Sequence, residues 1–204
     1  MHASAGTSVQ ADTQTKVLVG TVKEAVRLGA DGFSLHINVG GADKEPDMIQ
    51  KLGSIAEECD SYQIPLLAMM YPRSKNISKP IPVDKVTLSA RVGFELGADI
   101  VKTIYTRDVD LFSKVIDRCP VPVVVAGGQK IDSVKDLLQM ISDVMHAGAI
   151  GVTIGRNVFG SDNPQLLTKA IRKIVLQNTS VEDVLDIVNN NSLKTPYPAS
   201  TLAD

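Results

Sequence analysis

One local pattern recurs along this chain and limits what it can fold into: an amphipathic helix, a Gly-Ala turn, then an apolar strand. Thr21-Val-Lys-Glu-Ala-Val-Arg-Leu-Gly-Ala-Asp31 opens with Thr21 and Glu24 in capping-box spacing and ends at Gly29, a natural C-cap, before the strand Gly32-Phe-Ser-Leu-His-Ile37. A second copy is Ala90-Arg-Val-Gly-Phe-Glu-Leu-Gly-Ala-Asp99, followed by the strand that carries Lys102. A third ends Val144-Met-His-Ala-Gly-Ala149 and enters Gly151-Val-Thr-Ile-Gly155. Two further strands, Ile64-Pro-Leu-Leu-Ala-Met-Met70 and Val121-Pro-Val-Val-Val-Ala126, use proline as punctuation instead. Strands spaced roughly thirty residues apart, each flanked by helices, mean βα units and a parallel sheet.

The helices between the strands have the matching period. Val134, Leu137, Leu138, Ile141 and Met145 form one apolar stripe, and Leu52, Ile55, Ala56 and Cys59 form another. The strands are nearly continuous apolar runs, as expected where both faces are covered by helices or by a barrel interior. Residues 1–190 read as a single domain. The tail 191–204, which includes Lys194-Thr-Pro-Tyr-Pro198, is expected to be flexible.

Composition narrows the function. A formal net charge of -2 and scattered basic residues leave no electrostatic footprint for nucleic acid or an anionic membrane surface. No apolar run is long enough to cross a bilayer, and Met1-His-Ala-Ser-Ala-Gly6 has no signal-peptide core. Cys59 and Cys119 lack metal-type spacing and read as reduced thiols of a cytoplasmic protein. His2, His36 and His146 show no ligand spacing either, and no carboxylate cluster proposes a metal.

Two parallel architectures compete. A doubly wound sheet would normally show a glycine-rich phosphate turn after its first strand, and none is present. A TIM barrel instead places functional groups at the C-terminal ends of several strands, with a phosphate site after the last two. The strand ends fit that second form. Met70-Tyr-Pro-Arg73 closes one, Lys102 and then Tyr105 the next, Ala126-Gly127-Gly128 another, and Gly155-Arg156-Asn157 the last.

Lys102 sits among apolar neighbours, where an unpaired ammonium loses its hydration, and shedding the proton leaves a nucleophilic amine. The competing reading is a strand-end lysine whose head reaches water. Tyr71 lies on the preceding strand, close enough to pass protons to and from a carbinolamine. Its alternative role is interfacial packing. Gly127, Gly128 and Gly155 expose backbone N–H groups that can cradle a phosphate, and Arg156 adds a charged fork. Each piece alone is weak, since Gly-Gly is usually a tight turn and a strand-end arginine usually solvated. Together, lysine, tyrosine and phosphate cradle without a metal spell Schiff-base carbon–carbon chemistry on a sugar phosphate. His36 reads as a strand-end group that can line the same site.

Leu67-Ala-Met-Met-Tyr-Pro-Arg73, Ala98-Asp-Ile-Val-Lys-Thr103, Pro122-Val-Val-Val-Ala-Gly-Gly128 and Gly155-Arg-Asn-Val-Phe159 resemble the archaeal-type class I aldolases of the fructose-bisphosphate and deoxyribose-phosphate aldolase superfamily. The resemblance runs from about residue 1 to about residue 178. Within it, Met69-Met-Tyr-Pro-Arg73, Tyr105-Thr-Arg-Asp108 and Leu138-Gln-Met-Ile141 look most like the branch that transfers a fragment of a deoxyketohexose phosphate onto an amino-acid semialdehyde. The resemblance implies that Lys102 is the Schiff-base lysine and Tyr71 the proton donor. Tyr71, Pro72 and Arg73 would line the substrate, with Gly127, Gly128, Gly155 and Arg156 on its phosphate. It also implies no metal, no organic cofactor, a small-molecule sugar phosphate and an aldehyde acceptor as the only ligands, and a ring-like homo-oligomer. A fructose-bisphosphate aldolase with the same site, and a catalytically silent phosphosugar-binding barrel, are the two rival readings.

The fold class expected is α/β, a TIM (β/α)8 barrel lacking about its first two βα units. Counting a stub at Met1-His-Ala-Ser-Ala5 gives about six strands where a closed barrel has eight. In the resembling family the first of the two missing strands ends in an aspartate that accepts a proton, and no aspartate of this sequence matches that motif. The expectation is therefore an open sheet or arc with raw edges, prone to aggregation and of little activity by itself.

Overall fold

Five strands run side by side in the order in which the chain makes them. The computed structural model describes residues 1–192 apart from 8, 10–13, 41–43, 74–76, 78, 79 and 132. Strands β3 (Phe33–Val39), β4 (Leu66–Pro72), β5 (Ile100–Thr103), β6 (Val123–Ala126) and β7 (Gly151–Thr153) form one all-parallel sheet in the order β3-β4-β5-β6-β7. A doubly wound sheet reverses its winding at a switch point, and no reversal occurs here. Sequential winding belongs to a barrel, of which this sheet is an arc.

Ahead of the sheet, β1 (Ser4–Ala5) and β2 (Val17–Leu18) pair antiparallel as a short ribbon. The segment before β1 runs parallel to β3: His2 bridges Ser34, the Ser34 N–H donates to Met1 O at 2.8 Å, and the Ala3 N–H donates to Ser34 O at 2.9 Å. The stub expected from sequence thus occupies a sixth position beside the five strands.

The helices are α1 (Val22–Arg27), α2 (Glu45–Ser61), α3 (Val83–Glu95), α4 (Val109–Asp117), α5 (Val134–His146), α6 (Arg156–Phe159), α7 (Pro164–Gln177) and α8 (Val181–Ser192). The repeated unit closes as its sequence predicts. Thr21 caps α1 by accepting from the Glu24 N–H at 3.1 Å, while the Glu24 carboxylate turns to Arg27, so only half of the capping box forms. Gly29, Gly97 and Gly148 take φ of 77°, 92° and 101°, a region closed to most side chains, at the same step of all three copies. The proline-punctuated unit lacks that glycine. There Gln63 adopts φ 54° and its side chain donates back to Asp60 O at 2.6 Å.

Helices cover one face of the sheet. Phe33, Leu35, Ile37, Leu66, Ala68, Met70, Val101, Val123 and Val125 point to that face and are buried among Leu52, Ile55, Val86, Phe112 and Val115. A second cluster joins α5, α7 and α8 through Leu138, Ile141, Leu167, Ile174 and Val184. Both predicted stripes shift at their ends. Val134 is exposed at the first turn of α5 and Val144 is buried where Met145 was expected; on α2, Met48 joins the core and Ala56 is half-buried. Helix α8 runs to Ser192, two residues beyond the expected domain boundary, and the tail expected beyond it lies outside the described residues. Among the described residues no helix is long and apolar enough to cross a membrane, and no three His, Cys, Asp or Glu side chains group to hold a metal ion.

Candidate active site

Strand register decides which side chains meet on the inner, helix-free face. His36 pairs with Met69, Met69 with Lys102, Lys102 with Val124 and Val124 with Gly151, so these five share one pleat across the sheet. One pleat further on, Asn38 pairs with Tyr71 and Ala126 with Thr153. Because successive strand side chains alternate between faces, all of these turn away from the helices. They open onto a cleft of about 370 Å³ lined by His36, Tyr71, Arg73, Lys102, Gly128 and Arg156, with Gly127 and Gly155 beside them. Of the residues that sequence put forward, only Pro72 fails to reach it. Pro72 pairs with Val39 at the end of β4 and is buried on the helix side, where it shapes the strand end and touches nothing in the cleft.

Burial sets the proton chemistry. It lowers the proton affinity of the Lys102 amine, with no carboxylate nearby to oppose it. It pushes the Tyr71 phenol up to about 12 against the pull of Arg73, so the hydroxyl keeps its proton at any ordinary pH. It holds His36 down at about 4, a neutral imidazole, despite a hydrogen bond to Asn38 that favours the charged form. The Arg73 guanidinium lies 5.3 Å from the centre of the Tyr71 ring. With three cationic side chains and no Asp or Glu among its lining residues, the cleft suits an anion.

The far end of the cleft is a loop held from below. Gly128 has φ 66°, and a Cβ on Gly127 would come within 2.9 Å of the Ile154 side chain, so neither position accepts a larger residue cheaply. Arg156 donates from one terminal nitrogen to Gly128 O at 2.7 Å, which anchors its guanidinium at the loop. Asn157 is the residue that sequence reasoning left without a role. Its buried amide donates to Gly127 O at 3.0 Å and to Gln129 O at 3.1 Å, and its oxygen accepts from the Ile131 N–H at 2.7 Å. The only signal for it in sequence was its place immediately after Gly155-Arg156. Asn157→Ala is expected to cost about 1–3 kcal/mol, the penalty of stranding buried backbone groups. Urea unfolding measures this, and a variant as stable as wild type would remove Asn157 from the loop's support.

A profile described as DeoC/LacD family aldolase matches residues 1–161. The chain is similar to the 2-amino-3,7-dideoxy-D-threo-hept-6-ulosonate synthase 1 of Archaeoglobus fulgidus, at 45% identity over 190 residues, 93% of this chain and 70% of that protein. It is 38% identical over 175 residues to the 2-amino-4,5-dihydroxy-6-oxo-7-(phosphonooxy)heptanoate synthase of Streptomyces griseus, 86% of this chain and 64% of that one. Among solved structures it is similar to an archaeal fructose-1,6-bisphosphate aldolase with its catalytic lysine covalently bound to the carbinolamine intermediate of the substrate. That likeness has a TM-score of 0.82 at 29% identity and covers 86% of this chain and 70% of the other. The chain therefore spans about two thirds of the length of the proteins it matches.

Proposed function

Because the chain belongs to the DeoC/LacD family of aldolases, we propose that its cleft is the site of a class I, lysine Schiff-base aldolase that acts on a ketose phosphate. The observation that carries this reading is the convergence of Lys102, Tyr71 and the Gly128–Arg156 loop on one cleft that holds no carboxylate. Neutral Lys102 adds to the substrate ketone and gives a carbinolamine. Tyr71 protonates the hydroxyl, which leaves as water, and an iminium remains. The iminium draws in the electron pair of the adjacent carbon–carbon bond as it breaks, releasing an aldehyde and leaving an enamine on Lys102. The enamine adds to the incoming aldehyde, and water then hydrolyses the new iminium. The bond-breaking step also needs a base for the neighbouring hydroxyl, and no carboxylate that lines the cleft among the described residues supplies one. Imine formation needs only the lysine and its proton relay, so it is the step to test on this chain.

Within the family, the likeness to the Archaeoglobus fulgidus protein favours a 2-amino-3,7-dideoxy-D-threo-hept-6-ulosonate synthase. Such an enzyme transfers a fragment of a 6-deoxy-5-ketofructose phosphate onto L-aspartate semialdehyde, toward 3-dehydroquinate and the aromatic amino acids. A fructose-bisphosphate aldolase is the second reading, favoured by the fold likeness to the archaeal enzyme. Adduct formation with the deoxyketohexose phosphate at lower concentration than with fructose 1,6-bisphosphate supports the first, and the reverse order supports the second. The proposal includes a homo-oligomer and a cytoplasmic setting, supported by the family resemblance and by two buried free thiols, Cys59 and Cys119.

The phosphate assignment has its own test. Arg156→Ala removes a charge-assisted contact and is expected to weaken half-saturation for the ketose phosphate by about 10–150-fold, equivalent to roughly 1.5–3 kcal/mol. Unchanged concentration dependence of adduct formation would return Arg156 to a loop-capping role.

A further inference from the structure

His36 is a polar ring on the inner face of a strand, and what it touches is not accounted for by the chemistry above. Its Nε2 lies 2.8 Å from Asn38 Oδ1. Asn38 Nδ2 is already spent on Gln14 O, so Oδ1 is the acceptor and Nε2 carries the proton. Asn38 itself is buried, at 2% exposure. The imidazole is thus fixed in rotation and tautomer by a partner that cannot move away. Its ring then meets Tyr71 edge-on, with centroids 4.9 Å apart and planes at 73°.

Register shows what that contact does. His36, Met69 and Lys102 are consecutive neighbours on one pleat, and Tyr71 stands one pleat beyond Met69 on the middle strand. Tyr71 is therefore the diagonal neighbour of both His36 on one side and Lys102 on the other. A ring held on the His36 side denies the phenol room to swing away from Lys102. An apolar side chain would fill the same space without burying ring nitrogens, so filling space alone does not explain a histidine tied to a buried asparagine.

We propose that His36, locked by Asn38, is a positioning residue of this site that braces the Tyr71 ring toward Lys102. The inference rests on the proposed roles of Tyr71 and Lys102, and the experiment separates its failure from theirs. The full 204-residue chain is prepared as wild type, His36→Leu, which keeps the volume without an aromatic edge, and His36→Phe, which restores the edge. Each is treated with a ketose phosphate and borohydride, and the rate and half-saturation of adduct formation on Lys102 are measured. In parallel, the ring signals of the four tyrosines are followed by ¹³C labelling, with Tyr71 assigned from Tyr71→Phe. His36→Leu is expected to trap about a hundredfold more slowly, the cost of a misplaced reacting group, with half-saturation unchanged. Its Tyr71 signal should move, and His36→Phe should recover most of the rate and the signal. Trapping by His36→Leu at the wild-type rate overturns the inference, and so does a His36→Phe variant as slow as His36→Leu. If wild type itself gives no adduct, the aldolase reading fails instead. The tyrosine spectrum then still decides on the brace, because a Tyr71 signal identical in wild type and His36→Leu rules it out.

Discussion

Borohydride added together with a ketose phosphate is expected to fix a mass adduct on the peptide that contains Lys102, and Lys102→Ala is expected to abolish it. Loss of a covalent nucleophile removes rate on the order of 10⁶-fold, so any residual trapping should be undetectable beside wild type. Because burial lowers the amine's proton affinity, the trapping rate should rise with pH and level off below the ordinary lysine value of about 10.4. The same shift acts on stability. Between the folded and unfolded pKa of Lys102 the unfolded chain holds the extra proton, so stability increases with pH across that window and is lowest beneath it. Lys102→Met, which removes the buried charge, is therefore expected to melt above wild type at pH 7 while forming no imine. An adduct that persists in Lys102→Ala, or its absence in wild type, would remove the central claim. A Lys102→Met variant that melts lower would show that the ammonium finds stabilising partners and is not desolvated.

The parts of this molecule legible in its sequence are those fixed by short-range chemistry. Gly29, Gly97 and Gly148 could be placed because a helix end followed by an apolar strand calls for a left-handed residue, and all three adopt that conformation. The meeting of Lys102 with Tyr71, Gly128 and Arg156 could be anticipated because parallel strands in barrel order bring their C-terminal ends to one edge. What escaped depends on partners distant in the chain. Gln63 stands in for a glycine that the Ile64-Pro65 unit lacks, and nothing near it announces a positive φ. Asn157 acts through Gly127, Gln129 and Ile131, which come within reach only when β6 and β7 pair. The misplaced stripe ends at Val134 and Met145 follow from the angle at which α5 crosses α7 and α8, which periodicity within one helix does not contain. Pro72 was carried into the site by its neighbours in the motif, whereas strand alternation turns it to the opposite face from Tyr71.

Tyr71→Phe is expected to slow adduct formation by about 10²–10⁴-fold, the usual contribution of a positioned proton donor. The substitution keeps the ring against His36 and Arg73 and deletes only the hydroxyl, so the effect isolates proton transfer from packing. Half-saturation for the ketose phosphate should stay within about twofold, since the phosphate contacts lie at the Gly128–Arg156 end of the cleft and each lost charge-assisted contact there would show as a far larger change. The direction of the phenol's shift sets its role: held at about 12, it gives up its proton only to a group already pulling on it, such as the departing carbinolamine hydroxyl, and it has no standing population of phenolate to act as a base at neutral pH. The wild-type rate should accordingly show no loss near pH 10, where an unperturbed tyrosine would have titrated. Measuring trapping rates for both proteins from neutral pH to about 10 tests the two statements together. Equal rates in wild type and Tyr71→Phe would hand the proton to solvent and leave Tyr71 a wall of the cleft. A wild-type rate that falls toward pH 10 while Tyr71→Phe stays flat would show that the phenol titrates in the ordinary range and that its burial does not hold the proton in place.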